Sequence, residues 1–256
     1  IGTGLFNNCR SLESFTFSAS LVTIPDNMFY NCDELVSVYF SETSTLYSVG
    51  NLAFMYCENL ANITLPDTVT TIGYNAFFQC NSLVEMYLPS SLIKIDNYGF
   101  YGCDLLTTII YGDPYSLEYI GNYAFSWCPE LNELFIADTV TYVGIRAFDN
   151  TRDVILNIEA TSKPAGWAAD WNANGALTVN WGVNHRTITV VLDNGESDIL
   201  IYEKIGTVLT APADPVKVGF DFTGWFTFDG VSYTPYSFTT MPEEDLTVYA
   251  QYTVTP

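Results

Sequence analysis

The chain has 256 residues, of which 48% are hydrophobic, 16% aromatic and 14% charged, the balance of a folding globular protein and not of a disordered one. Its 8 Lys and Arg against 29 Asp and Glu give a formal charge of −21, which repels phosphate backbones and anionic headgroups, so nucleic acid and membrane surfaces are excluded as partners. No apolar run of about 18 residues is present, so no membrane insertion is expected within this sequence. It opens on Ile1-Gly2 in mid-pattern, so any signal peptide, earlier repeats or wall anchor would lie outside it.

The cysteines set a period. They stand at Cys9, Cys32, Cys57, Cys80, Cys103 and Cys128, at intervals of 23, 25, 23, 23 and 25 residues, and a further step of 23 reaches Thr151. Three residues before each of these positions stands an aromatic: Phe6, Phe29, Phe54, Phe77, Phe100, Phe125 and Phe148. Three residues after each cysteine stands a leucine: Leu12, Leu35, Leu60, Leu83, Leu106 and Leu131. A period of this size marks a stacked-repeat architecture in which each unit buries its apolar face against its neighbours. Seven repeats are read, the seventh divergent.

Within each repeat the pairs Phe15/Phe17, Val38/Phe40, Ile63/Leu65, Met86/Leu88, Ile109/Tyr111 and Leu134/Ile136 alternate at period two, which predicts one short strand per repeat and a parallel sheet on the concave side. The Ala-Phe-x-x-Cys segments, such as Ala53 to Cys57, space their apolar residues as a helix does. They predict a short helical turn on the convex side.

Six cysteines raise the question of a disulfide framework. Packed helices lie about 8–10 Å apart, beyond the ~4.4–6.8 Å Cα separation that a disulfide spans, so free, buried thiols are expected. No Cys-x-x-Cys pair exists and the single histidine, His185, lies beyond the repeats, so no zinc site is expected.

Residues 159–184 carry Trp167, Trp171 and Trp181 and read as a cap and junction that covers the apolar end of the array, with sugar stacking as the rival reading. In residues 185–256 the pattern changes: Thr187 to Leu192, Asp193-Asn194-Gly195 and Ile199 to Tyr202 form a hairpin signal. Asp193 to Asp198 is oxygen-rich but lacks the spacing and terminal Glu of a calcium loop, so a turn explains it more simply.

The repeat, as in Ile72-Gly73-Tyr74-Asn75-Ala76-Phe77-Phe78-Gln79-Cys80-Asn81-Ser82-Leu83 followed by Met86 and Leu88-Pro89, resembles the BspA-like, treponemal class of leucine-rich repeat over residues 1–158. Gly219-Phe220-Asp221-Phe222-Thr223-Gly224-Trp225-Phe226, Met241-Pro242 and Tyr249-Ala250-Gln251-Tyr252 resemble one Listeria-Bacteroides, or internalin B-repeat-like, module. The two resemblances imply a leucine-rich-repeat solenoid followed by a small β-grasp-like domain. They also imply a bacterial protein that is secreted or held at the cell surface.

No histidine-based triad, phosphate-cradling glycine loop or metal motif is present, so neither catalysis nor a cofactor nor a metal is expected. A solenoid offers its concave face for binding. The outward columns there are Thr16, Tyr39, Thr64, Tyr87, Ile110 and Phe135, beside Ser14, Ser37, Asn62, Glu85, Thr108 and Glu133. Tyr39, Thr64, Glu85, Tyr87, Ile110, Glu133 and Phe135 are the candidate ligand-binding residues, with cross-strand packing as the alternative role. The two long repeats place extra residues in Ser41 to Ser48 and in Gly112 to Tyr119, on one edge, where repeat proteins often add recognition. An extracellular protein is the first partner expected; a glycan, or a purely structural stalk, are the alternatives.

Overall fold

A computed structural model of the chain describes residues 2–112, 115–152, 154–174 and 178–255; the side chain of His185 and part of the second long insertion lie outside the described residues. Contacts divide the chain into two compact units, Ile1–Gly182 and Val183–Pro256.

The first unit is a solenoid in which successive coils contribute two short strands each. On one face lie β1 (Ser14–Thr16), β3 (Ser37–Tyr39), β5 (Asn62–Ile63), β7 (Glu85–Leu88), β9 (Thr108–Tyr111), β11 (Glu133–Ile136), β13 (Ile155–Ile158) and β14 (Thr178–Trp181). On the other lie β2 (Thr23–Ile24), β4 (Ser48–Val49), β6 (Thr71–Ile72), β8 (Lys94–Ile95), β10 (Tyr119–Ile120) and β12 (Tyr142–Val143). The second set forms one six-stranded parallel sheet. The first set is broken into β1-β3-β5, β7-β9 and β11-β13-β14. Register follows the repeat, with Phe15 opposite Val38 and Met86 opposite Ile109, so the alternating apolar residues stack in columns.

The convex helical turns expected from Ala-Phe-x-x-Cys are absent: no helix occurs among the described residues. Alternate amides instead serve different purposes. Ala76, Phe78 and Cys80 donate to Gly73, Asn75 and Phe77, each three residues back, whereas Asn75, Phe77 and Gln79 donate to Asn97, Gly99 and Tyr101 of the following coil at 2.8–3.1 Å. Asn75 and Gln79 both take φ of 54°, and left-handed pairs recur at Asn27 and Asn31, Tyr98 and Gly102, and Arg146 and Asn150. An α-helix cannot continue through such residues. The four-residue spacing that imitates a helix is that of two linked turns.

Without helices the coils stack at sheet spacing, about 4.7–4.9 Å. The wide helix separation invoked for the cysteines therefore does not apply, although all six are free and five are buried. Each of the five buried thiols is occupied by an earlier coil. Sγ of Cys32, Cys57, Cys80, Cys103 and Cys128 donates to the carbonyl oxygen of Phe6, Phe29, Phe54, Phe77 and Phe100 at 2.9–3.2 Å. Equivalent cysteines thus aim alike, along the array, and a disulfide needs side chains that converge.

The core is a ladder of rings. From Phe6 to Phe148 each phenylalanine stacks on the next at centroid separations of 5.2–5.9 Å and interplanar angles of 10° or less. Each buried ring contributes roughly 1.5–3 kcal/mol by leaving water. Coils approach so closely that a Cβ on Gly121 would lie 2.4 Å from the amide nitrogen of Asn97. That closeness explains Gly50, Gly73, Gly121 and Gly144, which follow Ile or Val and where a Cβ would meet an earlier coil at 2.4–2.8 Å.

The tryptophans end the ladder. Trp171 sets its ring edge-on to Phe148 at 6.0 Å, Trp167 packs on Trp171 at 4.9 Å, and Trp181 closes over both. Trp167 and Trp171 are buried, and the indole N–H of Trp167 donates to the Val140 carbonyl at 2.9 Å. The segment also adds β14 to the sheet, one coil beyond the repeats. Buried rings are unavailable for stacking on sugar.

The second unit is a five-stranded sheet of β15 (His185–Val191), β16 (Ile199–Lys204), β17 (Phe220–Phe228), β18 (Tyr233–Pro235) and β19 (Leu246–Val254), in the order β16-β15-β19-β17-β18. Its first and last strands lie parallel at the centre, and the other pairs are antiparallel. No helix packs on it among the described residues; the long β16–β17 connection carries Pro212 and Pro215, which resist helix formation. Ile188, Val190, Leu192, Leu209, Trp225, Met241, Val248 and Ala250 form its core. In the oxygen-rich loop Asp193 accepts from Lys217 Nζ at 2.8 Å.

Candidate functional site

The break between β5 and β7 opens a groove on the broken-sheet face. Parallel strands hold together by backbone hydrogen bonds, and here β3 bonds to β5 and β7 to β9 but β5 and β7 do not pair. The chain past Ile63 leaves the sheet, and the opening has a volume of about 940 Å³. Buried Val38, Ile63 and Leu65 form an apolar floor. Tyr39, which is 54% exposed, Tyr87 and Ile110 supply walls.

Glu42, Asp67 and Glu85 line the same opening, and no Lys or Arg does. All three carboxylates are exposed, and none takes part in an ion pair among the described residues. Tyr87 donates its hydroxyl to Asp67 at 2.6 Å, and the Ser90 amide donates to the same oxygen at 3.1 Å. Burial, reinforced by the negative Asp67, pushes the Tyr87 phenol well above its ordinary range. The hydroxyl therefore stays protonated and fixes one wall.

Of the residues expected on the binding face, Tyr39, Thr64, Glu85, Tyr87 and Ile110 come together in this groove. Glu133 and Phe135 do not. Glu133 accepts from the side-chain amide of Asn157, and Phe135 is 4% exposed, covered by the rings of Tyr111 and Tyr115. Phe135 thus belongs to the interior, contrary to its placement in the outward column, because a residue of the second long insertion folds over it. Ser37, also expected outward, is buried too.

Sequence reasoning missed Phe40, Glu42, Ser44 and Asp67 as lining residues. The signal was present in the first long repeat, whose extra residues in Ser41 to Ser48 build one rim of the groove. It also missed a second row of rings, on the turn side of the coils: Tyr30, Tyr56, Phe78, Tyr101, Tyr98 and Tyr123 meet in succession at 4.9–5.8 Å. These rings spend much of their surface on one another.

The groove offers shape, aromatic walls and negative charge. No cluster of three or more His, Cys, Asp or Glu able to hold a metal occurs among the described residues. No helix among them is long and apolar enough to cross a membrane.

Short parallel strands repeated every 23–25 residues around stacked phenylalanines define a leucine-rich-repeat solenoid. A family model described as the BspA type leucine rich repeat region matches residues 1–48 and 47–165 in six copies. The chain belongs to this BspA-type leucine-rich-repeat family. Residues 187–251 match the Listeria-Bacteroides repeat domain. The crystal structure of a T. pallidum leucine-rich repeat protein is similar at 27% identity and a TM-score of 0.52, over 59% of this chain and 68% of that one. A leucine-rich repeat protein from Bacteroides ovatus shares the fold at 21% identity and a TM-score of 0.50, over 76% of this chain and 60% of that one. No curated protein matches the chain.

Proposed function

We propose that this protein is a binding protein of the bacterial exterior, without enzymatic activity, which recognises a protein partner of the host or matrix through the groove between β5 and β7. One observation carries the reading: five separately derived outward residues, Tyr39, Thr64, Glu85, Tyr87 and Ile110, converge on one opening whose charged groups are all carboxylates. Tyrosine walls give contact area at small entropic cost, and unpaired carboxylates give orientation and salt dependence. The parts divide the work: residues 1–158 recognise, residues 159–184 close the solenoid, and residues 185–256 act as a spacer. The resemblance of that last part to the Listeria-Bacteroides repeat domain supports the exterior location.

The test is a display screen of extracellular host proteins against the whole chain, with a glycan array beside it, repeated on a Tyr39→Ala/Glu85→Lys variant. Capture of a defined protein by the parent, lost by tenfold or more in the variant at unchanged thermal stability, is expected. Capture that survives the double substitution places the interaction elsewhere. A second reading, glycan binding, is favoured by the turn-side row of rings from Tyr30 to Tyr123; it predicts signal on the glycan array that Tyr56→Ala and Tyr101→Ala abolish.

A further inference from the structure

The two long coils are a matched pair, and one of them is filled. Counted from the coil's own cysteine, Phe40 and Ser44 after Cys32 correspond to Tyr111 and Tyr115 after Cys103. Thr64 after Cys57 corresponds in the same way to Phe135 after Cys128. In the later coil Tyr111, Tyr115 and Phe135 form a closed cluster, with centroids 5.2–6.1 Å apart. The Tyr111 hydroxyl accepts from the Phe135 amide at 2.9 Å, and burial drives its phenol well above the ordinary range. In the earlier coil Ser44 and Thr64 stand where two of those rings would be. Both residues, and Phe40, line the groove.

The same spacing from the cysteine thus brings aromatic side chains together in one place and puts small ones at a groove in the other. An apolar floor under an opening of about 940 Å³ suits a ring, whose burial removes apolar surface from water. The rim decides what surrounds the ring. Glu42, Asp67 and Glu85 favour ammonium and guanidinium groups and repel carboxylates.

We propose that the groove takes the aromatic side chain of a partner polypeptide in the place that Tyr115 fills one long coil later, with Lys or Arg beside that residue in the partner's sequence. The inference rests on the groove reading and names its ligand. Three carboxylates and no Lys or Arg among the lining residues call for a basic segment, and the apolar floor calls for a ring beside it.

The probe is a capped Lys-Tyr-Lys peptide titrated into the whole protein and followed by amide shifts in two-dimensional nuclear magnetic resonance. Capped Lys-Ala-Lys and Glu-Tyr-Glu are the controls. Saturable shifts at Thr64, Glu85 and Tyr87 are expected with Lys-Tyr-Lys, and binding weaker by about tenfold or more with either control. A Ser44→Tyr/Thr64→Phe variant, which rebuilds the ring cluster, should keep its fold and lose the shifts. Should that variant not fold, Glu42→Gln/Glu85→Gln supplies the second arm, with binding expected to fall and its salt dependence to flatten. Equal binding of Lys-Ala-Lys, no binding of Lys-Tyr-Lys, or unchanged binding in the rebuilt variant overturns the inference. The two proposals part where the variant blocks capture of a protein partner although no tripeptide binds: the groove reading then stands and the ring is wrong. If the variant still captures that partner as the parent does, both fall.

Discussion

The Sγ of Cys80 lies 3.2 Å from the carbonyl oxygen of Phe54, in the coil before its own, and both residues are fully buried. Burial raises the thiols of Cys57, Cys80 and Cys103 well above their ordinary range, and that of Cys32 from 9.0 to about 11. The folded state holds these protons more tightly than the unfolded state does. Stability from this source is therefore whole below about pH 9 and is lost as the pH rises, through about 11 for Cys32. Urea midpoints should be level from about pH 7 to 8.5 and fall from about pH 9 upward. A thiol reagent should find the buried cysteines slow in the native protein and all six after unfolding. A level midpoint through about pH 11 would contradict the argument.

Gly121 is fixed by the approach of backbone to backbone. A Cβ there meets the amide nitrogen of Asn97 at 2.4 Å and the carbonyl carbon of Asp96 at 2.5 Å, neither of which can rotate away. Gly121→Ala should cost about 1–3 kcal/mol or more, as overpacking does. Denaturant melts with unchanged slope and a lowered midpoint are the expected record.

Leu52 takes a φ of 54°, where asparagine stands at the corresponding Asn27 and Asn75. Left-handed backbone costs an ordinary side chain roughly 1–2 kcal/mol, and asparagine less. Leu52→Asn should leave the thermal midpoint unchanged or raise it by a few degrees. A fall of several degrees would mean that the half-buried leucine packs for more than its backbone costs.

Trp171 is the last ring of the ladder and seals Phe148. Trp171→Ala should cost roughly 3–5 kcal/mol, as a truncated core tryptophan does. The loss should be local before it is global, because coils are held by neighbours. Hydrogen exchange should quicken first at the amides of Arg146, Phe125 and Trp127, which donate to Asp170, Ala147 and Asp149. Uniform quickening as far back as Phe29 would show instead that the array opens as one unit.

The columns of the solenoid were legible because a buried position admits few residue types: Phe77, Cys80 and Leu83 recur for that reason alone. The turns were misread because Phe77 and Cys80 lie three apart, as on a helix. The contrary signal was the asparagine at Asn27, Asn31 and Asn75, a residue that tolerates left-handed backbone. The six-stranded sheet was invisible because strands of two residues, such as Thr71–Ile72, have no period to detect. That Tyr39, Thr64, Glu85, Tyr87 and Ile110 share one side of the coils followed from alternation along the strands. Phe135 did not, since alternation gives the side of a strand and says nothing of Tyr115 folding over it from another coil.

The stacked coils also bear on how such a chain changes over generations. Each coil meets its two neighbours through nearly identical contacts, so duplicating a 23-residue stretch of gene within the array inserts a coil without disturbing any existing one. An insertion between Cys128 and Thr151, beyond the last lining residue Ile110, lengthens the solenoid by about 4.8 Å and carries the tryptophan seal away from the groove by that amount, with neither altered. Reach and recognition can therefore be inherited as separate traits.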